Sequence, residues 1–99
     1  ACVTNSIRRT TEEMLKVTGQ YDYFDFLVCN EDVKSNKPAP DCYLLACKKY
    51  NLSPKKVLIV EDSPKGKESA YKTGANVLEV ENIYEVTYYN VKRKIIWKF

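Results

Sequence analysis

Two adjacent carboxylates, Glu61 and Asp62, follow directly on the apolar run Val57-Leu58-Ile59-Val60. Acids set side by side repel unless a cation or protons sit between them. A hard divalent ion such as Mg2+, which takes oxygen ligands and keeps several waters, is the simplest occupant. Lys37 stands in Asn36-Lys37-Pro38-Ala39-Pro40-Asp41, where two prolines stiffen the backbone and hold the lysine in place. A fixed ammonium is a good partner for phosphate charge. Thr4, with Asn5 and Ser6 behind it, brings a hydroxyl and the backbone N–H groups of a helix start, a seat for a phosphoryl oxygen. A cation, a lysine and hydrogen-bond donors around spread negative charge are the set that phosphoryl transfer needs. Taken singly, the same residues have plainer readings: Glu61 and Asp62 solvated at a strand end, Thr4 a helix cap, Lys37 a solvated lysine.

Positioning these groups requires strands and helices in alternation. The run 57–60 reads as a strand buried on both faces. Ser63 then serves as N-cap and Pro64 as the first helical position of a helix over 64–73, which Gly74 stops. Gly66 and Ala70 are small where that helix would pack closely on a sheet. The acids therefore fall at the C-terminal end of a parallel strand, where open α/β sheets place their ligands. Upstream, a short strand ends at Thr4, and a helix over 7–17 stops at Gly19. A polar-aromatic turn over 21–25 leads to a strand over 26–29 that ends in Asn30-Glu31-Asp32. The loop 33–40 precedes a helix over 41–50 whose apolar face carries Tyr43, Cys47 and Tyr50. Beyond Gly74 comes a strand over 76–80, and the spacing of Tyr84, Tyr88, Val91 and Ile95 predicts a helix over about 86–96. This order implies a parallel sheet with right-handed crossovers. The polar strand ends, Thr4, Asn30 to Asp32 and Glu61-Asp62, should then gather on one edge.

The remaining composition narrows the function class. A chain of 99 residues, 44% apolar, allows one domain with a real core. Net charge is +3 with both signs interspersed, which indicates neither a nucleic-acid surface nor a membrane surface. Four cysteines without a CxxC pair, and no histidine, argue against a zinc site. Reduced, buried cysteines are expected, as in a cytoplasmic protein. No apolar stretch reaches the length of a membrane span and no signal peptide is visible. The chain opens at Ala1 inside an apparent strand, without a preceding Met, as a piece of a longer protein or a processed chain would.

Together, Thr4, Lys37-Pro38-Ala39-Pro40-Asp41, the run from Val57 to Gly66, Ala70 and Gly74-Ala75 resemble the haloacid dehalogenase-like hydrolase superfamily. The resemblance is to its phosphatase and β-phosphoglucomutase-like branch, over roughly residues 1–80. It implies a Rossmann-like three-layer α/β core and a Mg2+-dependent phosphohydrolase acting on a small phosphorylated metabolite through an aspartyl-phosphate intermediate. Thr4 matches the family's phosphoryl-binding residue of the second motif, with Asn5 beside it as a further phosphate contact. Lys37 matches the lysine of the third motif. Glu61 and Asp62 match the metal-binding acids of the fourth, with Asp62 the direct Mg2+ ligand.

The family's nucleophile is an aspartate in a DxDx[TV] motif after the first strand, and no such motif occurs in these 99 residues. Asp22 and Asp25 sit between a helix and a strand, and the substrate-selecting cap is missing as well. The expectation is one incomplete core domain over 1–99: a motif-bearing part over 1–80 and a helical tail over 81–99. It should be inactive alone, with the nucleophile and central strand supplied by a missing N-terminal segment or another chain. The alternative is an inactive remnant that binds phosphate or a protein partner. A receiver domain also places Thr, Lys-Pro and acids at strand ends, but two further strands follow Lys37 here.

The family's strand order, 5-4-1-2-3, implies that the absent strand belongs between the strand ending at Thr4 and the strand ending at Glu61-Asp62. Three outcomes follow from that. Another segment fills the gap, which is the preferred one; the two flanking strands close up and pair; or the chain folds poorly and associates.

Overall fold

Local chemistry sets each element of the chain, of which the computed structural model describes residues 1–81. The expected helix over 86–96 and most of the expected tail lie outside the described residues. Strand β1 (Cys2–Val3) leads to helix α1 (Arg8–Val17), β2 (Leu27–Val28), α2 (Asp41–Tyr50), β3 (Leu58–Glu61), α3 (Pro64–Lys72) and β4 (Asn76–Glu79). Tight single turns over Tyr21–Tyr23, Asn30–Asp32 and Pro54–Lys56 join them. Helix α3 starts as its sequence dictates. The Ser63 hydroxyl accepts the Gly66 N–H at 3.0 Å, and Pro64 fills a first-turn position that has no hydrogen bond to lose. It ends at Gly74, whose φ of +79° is a left-handed conformation that glycine adopts without strain. Helix α2 has Asp41 in its first turn and Lys48 and Lys49 in its last, matching its dipole.

Helix α1 lies where the sequence predicts it, within one residue, and is held at its start by acids from further along the chain. Its flanking residue Ile7 offers no side-chain cap. The Arg8 N–H instead donates to the Glu31 carboxylate at 2.9 and 3.2 Å. The Arg8 guanidinium pairs with Asp32 and donates to the Leu27 carbonyl at 3.2 Å. Glu31 and Asp32 are thus spent on anchoring α1. They do not join Thr4 and the Glu61-Asp62 pair at the cavity described below, because the first N–H of α1 takes Glu31, and the Arg8 guanidinium and the Cys29 N–H take Asp32.

The sheet comes as two parallel pairs. β1 pairs with β2, Cys2 opposite Leu27 and Val3 opposite Val28. β3 pairs with β4, from Leu58 opposite Asn76 to Glu61 opposite Glu79. Among the described residues β1 and β3 are not paired, so the flanking strands have not closed up. Cys2 and Thr4 donate to the Phe26 and Val28 carbonyls, at 3.2 and 2.9 Å. Alternation along a strand therefore turns the N–H and C=O of Val3 away from β2. Val57 and Glu61 accept from Asn76 and Val80, at 3.0 and 3.1 Å, which turns the backbone groups of Leu58 and Val60 away from β4. Between the pairs lies a cavity of about 310 Å3, walled by Val3, Leu58 and Val60 and floored by Tyr43, Ala46, Cys47 and Tyr50 of α2.

Helices α2 and α3 cover one face of both pairs. Val28, Cys42, Tyr43, Ala46, Ile59, Ala70 and Val77 form one buried cluster. Burying each of its larger aliphatic side chains is worth about 1.5–3 kcal/mol. Leu15 of α1 packs on Leu27 and Cys29 in a second cluster. Strand β3 is not buried on both faces as its unbroken apolar run predicts. Ile59 and Glu61 are buried, whereas Val60 is 37% exposed. The core built by α2 and α3 takes up the Ile59 side of the strand.

Candidate functional site

A cavity of about 690 Å3 opens at the C-terminal ends of β1 and β3. Val3, Thr4 and Asn5 line one side, Lys37 lies across it, and Glu61, Asp62, Ser63, Pro64 and Lys65 form the other. All five residues singled out by the sequence, Thr4, Asn5, Lys37, Glu61 and Asp62, therefore meet in one place. Thr4 Oγ1 accepts the Ser6 N–H at 3.1 Å, which shapes the turn and leaves the hydroxyl proton to donate. Asn5 holds the Lys37 backbone: its Oδ1 accepts the Lys37 N–H at 3.1 Å and its Nδ2 donates to the Lys37 carbonyl at 3.5 Å.

Lys37 is the best-fixed group of the set. Its side chain is 9% exposed, and Nζ donates to Glu61 Oε2 at 2.8 Å and to the Val3 carbonyl at 3.1 Å. It thereby bridges the two halves of the sheet. Nζ also lies 4.8 Å from the centre of the Tyr43 ring, within cation–π range.

Glu61 is saturated. Oε2 receives Lys37 Nζ and the Tyr43 hydroxyl. Oε1 receives the Asp62 N–H at 3.1 Å and the Ser63 N–H and hydroxyl at 3.3 Å each. Burial acts to raise the Glu61 carboxyl. The hydrogen bonds from Lys37 and Tyr43 and the lysine charge outweigh it and hold the carboxyl down at about 2. Burial, then the hydrogen bond to Glu61 and its charge, push the Tyr43 hydroxyl far above its ordinary value, so it remains a donor. Gly66 faces Glu61 so closely that a side chain there would overlap it.

Of the two adjacent acids, Asp62 turns outward. Among the described residues only its backbone N–H is engaged, leaving an exposed carboxylate at the cavity mouth. No group of three or more His, Cys, Asp or Glu side chains among the described residues is placed to hold a metal ion. One open carboxylate still suits Mg2+, which keeps several waters and takes few protein ligands.

Sequence reasoning missed Tyr43 and part of the role of Ser63. Tyr43 counted only as part of an apolar face, and Ser63 only as a cap. A buried tyrosine hydroxyl requires a partner, and that requirement was the available signal for Tyr43.

The description "Haloacid dehalogenase-like hydrolase" belongs to a family model that matches residues 1–80. A phosphorylated carbohydrates phosphatase of Thermotoga maritima is 36% identical over 88 residues, covering 89% of this chain and 38% of the relative. A phosphoglycolate phosphatase of Thiobacillus denitrificans is 34% identical over 77 residues, covering 78% and 34%. The chain thus spans little more than a third of these relatives. Among solved structures, a candidate β-phosphoglucomutase from Thermotoga maritima superposes with a TM-score of 0.76 at 30% identity, covering 93% of this chain and 43% of that one.

Proposed function

The chain belongs to the haloacid dehalogenase-like hydrolases, and from that premise we propose that it is the phosphate-holding part of a Mg2+-dependent phosphohydrolase acting on a small phosphorylated metabolite. The observation that carries this reading is the convergence of Thr4, Lys37 and Asp62 on one cavity, with Lys37 locked in place. Thr4 donates its hydroxyl to a phosphoryl oxygen. Lys37 sets a fixed positive charge beside the transferring group, and Asn5 holds the backbone that carries it. Asp62 is the Mg2+ ligand of this chain, while Glu61 anchors Lys37. Bound Mg2+ would neutralise charge on the phosphoryl oxygens.

The nucleophilic aspartate, on which the phosphoryl group would be carried, comes from outside these 99 residues. An extended segment seated between β1 and β3 would end beside Lys37 and Asp62. The gap-facing backbone of Val3, Leu58 and Val60 supports that placement, since such edges are pairing templates. A core domain over 1–80 completed in this way is the biological unit in this reading. Four free cysteines, three of them buried, support a reducing compartment such as the cytoplasm. Among the described residues, no helix is long and apolar enough to cross a membrane.

The metal assignment has a direct test. With one open carboxylate, the chain should bind Mg2+ weakly, at about millimolar affinity at best. Asp62→Ala should abolish that binding in titration calorimetry. An unchanged affinity in the variant would place the metal elsewhere.

A further inference from the structure

We propose that Tyr43 is a positioning residue: its hydroxyl fixes the Glu61 carboxylate and, through it, the place of the Lys37 ammonium at the cavity. The inference deepens the phosphate reading and rests on it for its functional meaning. Its physical basis is independent of that reading.

Lys37 reaches the cavity on a long flexible stem, and four rotatable bonds must be held for its charge to stand in one place. Two acceptors hold it, the Val3 carbonyl and Glu61 Oε2. The first is part of a strand. The second ends a side chain with three torsions of its own, so Glu61 can fix Lys37 only if Glu61 is itself fixed. Oε1 is tied to the Asp62 and Ser63 N–H groups and the Ser63 hydroxyl. Those bonds locate one oxygen, and the carboxylate can still swing about it. The Tyr43 hydroxyl closes that freedom by donating to Oε2, the same oxygen that takes Lys37. Tyr43 is rigid where it stands: it is 6% exposed, sits in the first turn of α2, and packs in the cluster with Val28, Ala46 and Ile59. Its ring also faces the ammonium. The tyrosine thus touches both members of the ion pair and constrains each.

Tyr43→Phe removes the hydroxyl and keeps the ring, so it separates positioning from packing. In the wild-type chain the Lys37 ammonium should give an NMR cross-peak whose protons exchange slowly with water. In Tyr43→Phe those protons should exchange at least ~10-fold faster, the effect of losing one hydrogen bond to a charged group, with the circular-dichroism spectrum retained. Orthophosphate, followed by 31P line broadening, should bind roughly 10-fold more weakly for the same reason. Unchanged Lys37 exchange in a folded Tyr43→Phe chain would overturn the proposal.

A second measurement needs no variant. The Tyr43 hydroxyl proton of the wild-type chain should appear as a slowly exchanging, downfield resonance, and its absence would count equally against the assignment. If orthophosphate failed to bind the wild-type chain, the phosphate reading would fall, while Lys37 exchange would still decide the role of Tyr43.

Discussion

Glu61→Ala is expected to lower the unfolding free energy by about 3–5 kcal/mol, the cost of leaving a buried partner charge uncompensated. Lys37 is 9% exposed and Glu61 8%, so the ammonium that remains is left without its carboxylate in a largely buried place. The Tyr43 hydroxyl and the Ser63 N–H would lose their acceptor at the same time. A small domain has only about 5–15 kcal/mol in total, so urea denaturation should show a large fall in midpoint. The double variant Lys37→Met/Glu61→Leu should recover much of the loss, because replacing both members by apolar groups removes the unpaired charge.

The same group sets the acid limit. Its folded value, about 2, lies below the ordinary 4.5, so the unfolded chain takes up the proton more readily. The stabilisation is complete above pH 4.5 and is lost as pH falls towards 2. At 1.36 kcal/mol per unit this amounts to about 3 kcal/mol. Asp32 adds to the loss in the same direction: the Cys29 N–H and the Arg8 guanidinium outweigh its burial and hold its carboxyl down. Glu61→Ala should flatten the stability profile across this window.

Gly66→Ala is the second large effect, and its sign is diagnostic. On an exposed helix this change gains about 1 kcal/mol from propensity. Here a β-carbon would lie 2.0 Å from Glu61 Cδ, 2.3 Å from Oε2 and 2.5 Å from Cγ. A free side chain would swing aside. Glu61 is held by Lys37, Tyr43 and Ser63, so either the ion pair breaks or α3 lifts from β3. A net loss of up to about 2 kcal/mol is expected, an overpacking cost of about 1–3 kcal/mol less the propensity gain. In a Glu61→Ala background the obstruction is gone, and Gly66→Ala should be neutral or stabilising. Thermal denaturation of the four chains measures this, and stabilisation by Gly66→Ala alone would contradict the packing of Glu61 beneath α3.

Much of this arrangement is legible in the sequence. Ser63-Pro64 and Gly74 delimit α3, and the alternation of strands with helices brings Thr4 and the Glu61-Asp62 pair to one end of the sheet. What pattern alone does not resolve is which acid turns inward. Side chains alternate along a strand, so once Ile59 is known to face the core, Glu61 must follow it inward and Asp62 must face out. That face depends on α2 and α3 packing from one side, a tertiary fact. Glu31 and Asp32 stand at a strand end as the site acids do, yet the bare N-terminus of α1 claims Glu31 and the Arg8 guanidinium claims Asp32. Tyr43 reads as apolar because its ring is; its hydroxyl acts only through a residue 18 positions away.

The most direct measurement supplies what the gap between β1 and β3 would take. The chain is mixed with a separately made extended segment, apolar and ending in DxDx[TV], and phosphomonoester hydrolysis is followed in Mg2+. Turnover should appear only in the mixture. It should vanish when the first aspartate of the segment becomes Asn, and equally when Lys37→Ala is introduced in this chain. Hydrolysis by the chain alone that is lost in Lys37→Ala would contradict the account, because it would place the nucleophile within these 99 residues.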